Sequence, residues 1–234
     1  MSVDHSITVN GDAVAVLCSG GLDSVVLAAD LATTATVYPL YVVSGLAWEA
    51  EERAMLSRAL SAFPETTRVG PLHVLDASMR DVYAPTHWSL TGTPPAWDTP
   101  DEEVYLVGRN IVLLAKAAVY CAVRSIGRIA LGPLAGNPFP DATPEFNAAM
   151  TRALSLGLAQ DLAIETPYRT WEKADVIRRG QSIGAPMALT LSCMNPVGGA
   201  HCGACSKCRE RHDAFIDAIG HDPTTYATST HAAS

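Results

Sequence analysis

The stretch AVAVLCSGGLDSVVLAADL, residues 13–31, constrains this chain more than any other. A continuous apolar run over 13–18 reads as a buried strand, and Ser19-Gly20-Gly21 breaks it before an apolar helix pattern resumes over 23–33. A strand that passes directly into a helix through glycines belongs to a parallel sheet covered on both faces. Such a turn lies at the carboxyl end of its strand, where backbone N–H groups and the helix N-terminus favour an anion. Cys18, Ser19, Gly20, Gly21, Leu22, Asp23 and Ser24 are therefore candidates for a phosphate site. Asp23 would cap the helix or orient Mg²⁺, and Ser24 would offer its hydroxyl. A purely structural turn is the plain alternative. The lysine of G-x-x-x-x-G-K-[ST] is missing, and G-x-G-x-x-G is absent too.

The rest of the chain continues the alternation. Strands are expected over 36–43, 72–76, 129–132 and 163–165, and helices over 47–63, 110–124, 144–156 and 171–180. Pro39 argues against a central position for the second strand, or for a bulge there. Residues 77–103, with Pro85, Gly92, Pro94, Pro95 and Pro100, read as a long irregular excursion. The fold class is α/β: a doubly wound, mostly parallel, Rossmann-like sheet. With 234 residues the chain can bury one sizeable core. No apolar run reaches the roughly 18–20 residues that span a bilayer. The start of the chain lacks a basic and an apolar signal region, so a cytoplasmic location without membrane is expected. A net charge of −8 without a long basic patch counts against a stable nucleic-acid partner. The apolar helix over 110–124 could serve the core or the contact of a homodimer.

Six cysteines divide unevenly. Cys18 and Cys121 read as small core residues. Cys193, Cys202, Cys205 and Cys208 follow the spacing C-x8-C-x2-C-x2-C, which suits four thiolates around one structural Zn²⁺. Lys207, Arg209 and Arg211 would offset the charge of that tetrathiolate, and His201 is expected to be exposed, with a role as an alternate ligand as the other reading. The iron–sulfur continuation C-x3-C-P does not follow. Four protein ligands leave no open position for catalysis, so the metal would clamp the C-terminal segment.

The hexapeptide SGGLDS matches S-G-G-x-D-S and resembles the pyrophosphate loop of ATP pyrophosphatases, an adenine nucleotide alpha-hydrolase-like fold. With VGRN at 107–110, PDATPEF at 140–146, TWEKADVIRRG at 170–180 and the cysteine set, the chain resembles the 7-cyano-7-deazaguanine synthase family of the queuosine pathway. The resemblance runs from about residue 13 to about 218. It implies an ATP-dependent carbon–nitrogen ligase that adenylates a 7-deazaguanine-type carboxylate, accepts ammonia, and ends at the nitrile. Asp23, Arg109 and Lys173 would then be catalytic, with Arg109 and Asn110 meeting the nucleotide and Asp141 and Glu145 the substrate. Ordinary helix-start, ion-pair or solvated roles are the alternatives for Arg109, Asn110, Lys173, Asp141 and Glu145. The expected organisation is a flexible N-terminus over 1–12, an ATP-pyrophosphatase domain over 13–190, a zinc segment over 191–220 and a flexible tail over 221–234.

Two departures bear on the substrate. Where the family has D-Y-G-Q-[KR]-H, this chain reads VVSGLAWEAEE, and the family's Cys-Arg in P-D-C-R-P-E-F becomes Ala142-Thr143. A ligase acting on another carboxylate, or stopping at an amide or conjugate, is therefore carried beside the first reading. An RNA-modifying thiolase and a non-catalytic nucleotide-binding module stand behind it.

Overall fold

The computed structural model describes residues 12–228. In chain order its elements are β1 (Ala13–Leu17), α1 (Leu22–Leu31), β2 (Thr36–Val43), α2 (Glu49–Ser61), β3 (His73–Asp76) and α3 (Trp88–Thr91). Next come α4 (Arg109–Val123), β4 (Arg128–Ala130), α5 (Pro144–Leu158), β5 (Ala163–Glu165), α6 (Lys173–Ser182) and α7 (Ser206–Ile219), with short 3-10 turns between. The five strands form one sheet in the order β3-β2-β1-β4-β5, and every pairing is parallel. The expected doubly wound α/β fold is present.

Strand β1 shows why. Its side chains alternate faces, and both faces are covered, so apolar residues stand at every position. Val14 and Val16 join one core with Val25 and Val26 of α1, Leu56 of α2, Ile177 of α6 and Phe215 of α7. Ala13 and Ala15 join the other with Leu114, Ala118 and Cys121 of α4, against which Phe146 and Met150 of α5 pack. Thus α4 is largely a core helix, although Ile111, Val119 and Val123 remain exposed. Cys18 and Cys121 are both buried, as expected.

Pro39 requires a correction. Strand β2 lies inside the sheet, between β3 and β1. On one side Val37 donates to Arg68 O and accepts from Gly70 N, whereas the Leu40 carbonyl accepts from Cys18 N on the other. Alternation directs position 39 toward the 68–76 side. There it falls between the Val37–Val69 bridge and the start of β3 pairing at Leu40–His73. Its missing N–H therefore costs the ladder little.

The excursion over 77–103 holds α3, and a 3-10 turn spans Asp101–Val104. The rings of Trp48 and Trp88 stack at 5.8 Å and 6°. Together with Leu46, Val104, Leu191 and the four C-terminal cysteines they build a third core beyond the carboxyl ends of the strands. Helix α7 was not anticipated from the sequence. Within the expected tail, Ala227 N and Thr228 N donate to His201 O and Cys202 O. Residues 1–11 of the expected N-terminus and 229–234 of the tail lie outside the described residues. No helix among the described residues is long and apolar enough to cross a membrane.

Candidate active site

Strand order reverses direction between β1 and β4, and a parallel sheet leaves a crevice at such a point beyond its carboxyl ends. The loop over 18–24 enters that crevice from β1. Gly20 has φ +83°, and a Cβ there would stand 2.9 Å from the Glu52 carbonyl, so this position requires glycine. Its own carbonyl accepts from Leu191 N at 2.8 Å, which ties the loop to the segment entering the cysteines. Gly21 is the N-cap of α1 and provides no side-chain acceptor. The Ser24 hydroxyl turns back to Gly21 O at 3.0 Å. The first-turn N–H groups have no acceptor within the helix, and they lie where an anion would be held.

Charge accumulates beside this loop. Lys173, the first residue of α6, places Nζ 3.2 Å from Asp23 Oδ2 and donates to Glu210 Oε1 on α7. Glu210 also accepts from Lys207 Nζ at 2.7 Å, and Lys207 stands 3.7 Å from Asp101. Burial alone would lower the Lys173 pKa, but Asp23 and Glu210 outweigh it and hold the ammonium charged. Burial would raise Glu210, and Lys173 and Lys207 instead pull it down to about 2. Burial lifts the Asp23 carboxyl above its usual range against the pull of Lys173, with Glu210's charge adding to the rise. Asp23 Oδ1 is buried without a hydrogen-bond partner, an arrangement that suits a cation.

Two cavities adjoin at the loop. The first, about 270 Å³, is lined by Cys18, Ser24, Tyr41, Asn110, Leu131 and Asp141. The second, about 290 Å³, is lined by Trp48, Glu52, Trp88, Lys173, Cys193 and Glu210. Ser19, Gly21, Asp23 and Arg109 border both. Arg109 opens α4 after Gly108, whose φ of 75° turns the chain into the helix, and its Nε is buried without an acceptor. Glu52 is buried beside it and accepts from Tyr41 Oη at 2.8 Å. Burial raises its pKa to about 7, against the opposing pull of Arg109 and the Tyr41 bond.

Asp141 and Asn110 have a different local arrangement from the one expected. Asn110 is not the N-cap of α4; Gly108 is. Asp141 Oδ2 accepts from Asn110 N at 3.0 Å, and Asn110 Nδ2 donates to Asp141 O and Oδ1. Thus Asp141 provides the capping carboxylate from 31 residues away, because glycine offers none. Both residues border the first cavity. Glu145 is exposed on the first turn of α5 and lines neither cavity, so the structure does not bring it to the site. Glu52, Asp101, Lys207 and Glu210 are at the site without having been assigned there. No sequence signal singles out Glu52 among Glu49, Glu51 and Glu52 in the first turn of α2.

The four cysteines converge. The Sγ atoms of Cys193, Cys202, Cys205 and Cys208 all lie within 4.8 Å of one another and are buried. Cys202 and Cys208 sulfurs are 3.8 Å apart, and those of Cys205 and Cys208 3.6 Å. Four sulfurs about 2.3 Å from one metal ion would stand about 3.8 Å apart, so the set could hold such an ion. Asn195 N and Cys202 N both donate to Cys193 Sγ at 3.3 Å, as suits a thiolate. Arg211 is buried behind the cluster, bonded to Thr190, Ser192, Thr224 and the Met187 carbonyl. His201, expected to be exposed, is instead buried and accepts from Ser192 N at 3.1 Å.

The family model and the curated relatives agree on a family. The family model described as "Queuosine biosynthesis protein QueC" matches residues 13–219. A 7-cyano-7-deazaguanine synthase of Caldicellulosiruptor bescii is 31% identical over 90% of this chain and 96% of that protein. One from Ruegeria sp. is 35% identical over 91% of this chain and 92% of that protein. A solved 4-thiouridine synthetase bound to RNA and ATP superposes with a TM-score of 0.47 over 77% of this chain and 43% of that one, at 16% identity. From the extent of the family match and the identity to its curated relatives, this chain belongs to the QueC family of queuosine biosynthesis proteins.

Proposed function

We propose that this protein is an ATP-dependent ligase that adenylates a carboxylate and aminates it with ammonia, converting 7-carboxy-7-deazaguanine to 7-cyano-7-deazaguanine. The observation that carries this reading is the loop over 19–24, bordered by two cavities at the sheet's switch point and faced by Arg109 and Lys173. The first cavity takes the nucleoside of ATP, the loop its outer phosphates, and the second cavity the acid. A carboxylate oxygen attacks the α-phosphorus, the bond to the bridging oxygen breaks, and pyrophosphate departs with the electron pair. Arg109, bordering both cavities, steadies charge on the α-phosphate, and Lys173 meets the charge that grows on pyrophosphate. Ammonia then displaces AMP to give the amide. A second adenylation, on the amide oxygen, lets that oxygen leave with AMP while nitrogen loses its protons and the nitrile forms. Asp23 and Ser24 would hold Mg²⁺, which when bound neutralises phosphate charge. The four cysteines would hold one structural Zn²⁺ per chain. Asn110 and Asp141 shape the nucleoside side, and reduced cysteines together with a small-molecule substrate suit a cytoplasmic enzyme.

Incubation with ATP, Mg²⁺, ammonia and 7-carboxy-7-deazaguanine, followed by mass spectrometry, tests this directly. AMP, pyrophosphate, amide and then nitrile are expected; ADP with orthophosphate would reject it. Asp23→Asn and Arg109→Ala should each reduce AMP formation at least a hundredfold (on the order of 3 kcal/mol) while leaving the melting curve in place.

A second reading has its own observation. Leu46, Ala47 and Trp48 replace the family's Gln-[KR]-His, and Trp48 lines the second cavity while stacking on Trp88. An apolar wall where polar groups are usual favours a different acid, or release at the amide or a conjugate. Accumulating amide, or faster AMP formation with another aromatic acid, would select it.

A further inference from the structure

Glu210 has no part in the reading above, yet it occupies the second cavity's wall between two cations. It reaches them from α7, whereas Lys173 stands at the start of α6 and Asp23 in the phosphate loop of α1. The Lys173 ammonium is shared between these two carboxylates. Any phosphate group approaching the loop competes with both for the same three N–H donors. Asp23 belongs to the loop itself and cannot withdraw from it. Glu210 belongs to another helix, and it retains Lys207 as a second partner when Lys173 turns to a ligand.

On the reading that the loop binds the outer phosphates of ATP, we propose that Glu210 is a positioning residue. It holds Lys173 at the loop before nucleotide arrives and reclaims its ammonium as pyrophosphate leaves. The carboxylate thereby limits how tightly the loop grips a polyanion. A site with Lys173 and the α1 N-terminus opposed by Asp23 alone would bind the product pyrophosphate too well. Coulomb attraction between an ammonium and a phosphate anion falls when a carboxylate shares that ammonium, and removing the carboxylate reverses the effect.

Calorimetry with inorganic pyrophosphate and Mg²⁺ compares the full-length wild type with Glu210→Gln, which keeps the side chain's length and loses its charge. Pyrophosphate should bind roughly tenfold more tightly to the variant. Under steady state, the KM for ATP should fall together with kcat, because tighter product retention slows turnover. Asp217→Asn removes the same unit of charge from the exposed side of α7 without touching Lys173, and should leave affinity within about twofold. Unchanged or weaker binding by Glu210→Gln overturns the proposal, as does equal tightening by Asp217→Asn, which would make the effect one of bulk charge. A lost melting transition with weaker binding would identify Glu210 as a structural ion-pair partner and overturn it as well. If the wild type itself binds neither pyrophosphate nor a non-hydrolysable ATP analogue, the phosphate-site reading falls with it.

Discussion

Glu52 is where residue chemistry and stability meet most directly. The carboxylate is buried near Arg109 and Glu49, bonded to Tyr41, with Trp48 beside it. Burial lifts its pKa from 4.5 to about 7, so the folded state favours the protonated form more than the unfolded chain does. A raised carboxyl pKa contributes stability that is present in full below about pH 4.5 and is lost as pH rises through about 7. Glu52→Gln keeps the neutral shape at every pH. Its melting temperature should therefore gain on the wild type between pH 5 and pH 8, by an amount equivalent to at most about 3 kcal/mol. Melting curves collected across that range would test this, and parallel profiles for the two proteins would contradict it. The same carboxylate was not legible as a site residue from the sequence, where it is one acid among three on α2. Only the Tyr41 hydroxyl and the fold's placement of Arg109 distinguish it.

At the scale of elements, local pattern and long-range placement separate cleanly. The strand–loop–helix run over 13–31, the second strand and the helix after residue 109 were readable because apolar periodicity and a glycine turn encode them locally. Helix α7 was not, because its sequence SKCRERHDAFIDAI is dominated by charge and cysteine spacing, while its apolar contacts are few: Ala214 and Phe215 buried, with Ala218 and Ile219 partly so, beside Cys208. Missing α7 also meant missing Glu210, since that side chain reaches Lys173 only once α6 and α7 lie together. The central position of β2 was hidden for the same reason: Pro39 is excluded by a local rule that the gap in the neighbouring ladder suspends. Helix packing leads to a further expectation. A Cβ on Gly180 of α6 would lie 2.5 Å from Met187 Sδ and 2.9 Å from Val26 Cγ2 of α1, so the two helices approach through a glycine. Gly180→Val should overpack this contact and cost about 1–3 kcal/mol. Urea unfolding should show an earlier midpoint. An unchanged midpoint would mean that the contact relaxes by moving Met187 alone.

Viewed as a whole, the molecule places its chemistry where three cores meet, and the cysteine segment joins two of them. The sheet's two faces are filled without any of the four clustered cysteines. The third core, by contrast, contains all four together with Trp48 and Leu191. Leu191 N holds the Gly20 carbonyl, Cys205 is the N-cap of α7, and Lys207 and Glu210 follow within its first turns. A metal at the cysteines would therefore fix both the back of the phosphate loop and the helix that carries the charges opposite it. Cys205→Ser removes one thiolate and should leave less than one metal ion per chain by elemental analysis. Because a structural metal adds its binding free energy to the folded state, the melting temperature should fall by roughly 10 °C, corresponding to more than about 4 kcal/mol. Far-UV circular dichroism should retain most of its helical signal at room temperature, since the cores on the two sheet faces do not depend on the cluster. Affinity for a non-hydrolysable ATP analogue with Mg²⁺ should weaken in parallel, because Gly20 and Lys173 lose the frame that places them. Full metal content with an unshifted melting curve would show that Cys205 is no ligand. Loss of metal and stability with undiminished nucleotide affinity would show that the phosphate loop is organised by the sheet alone.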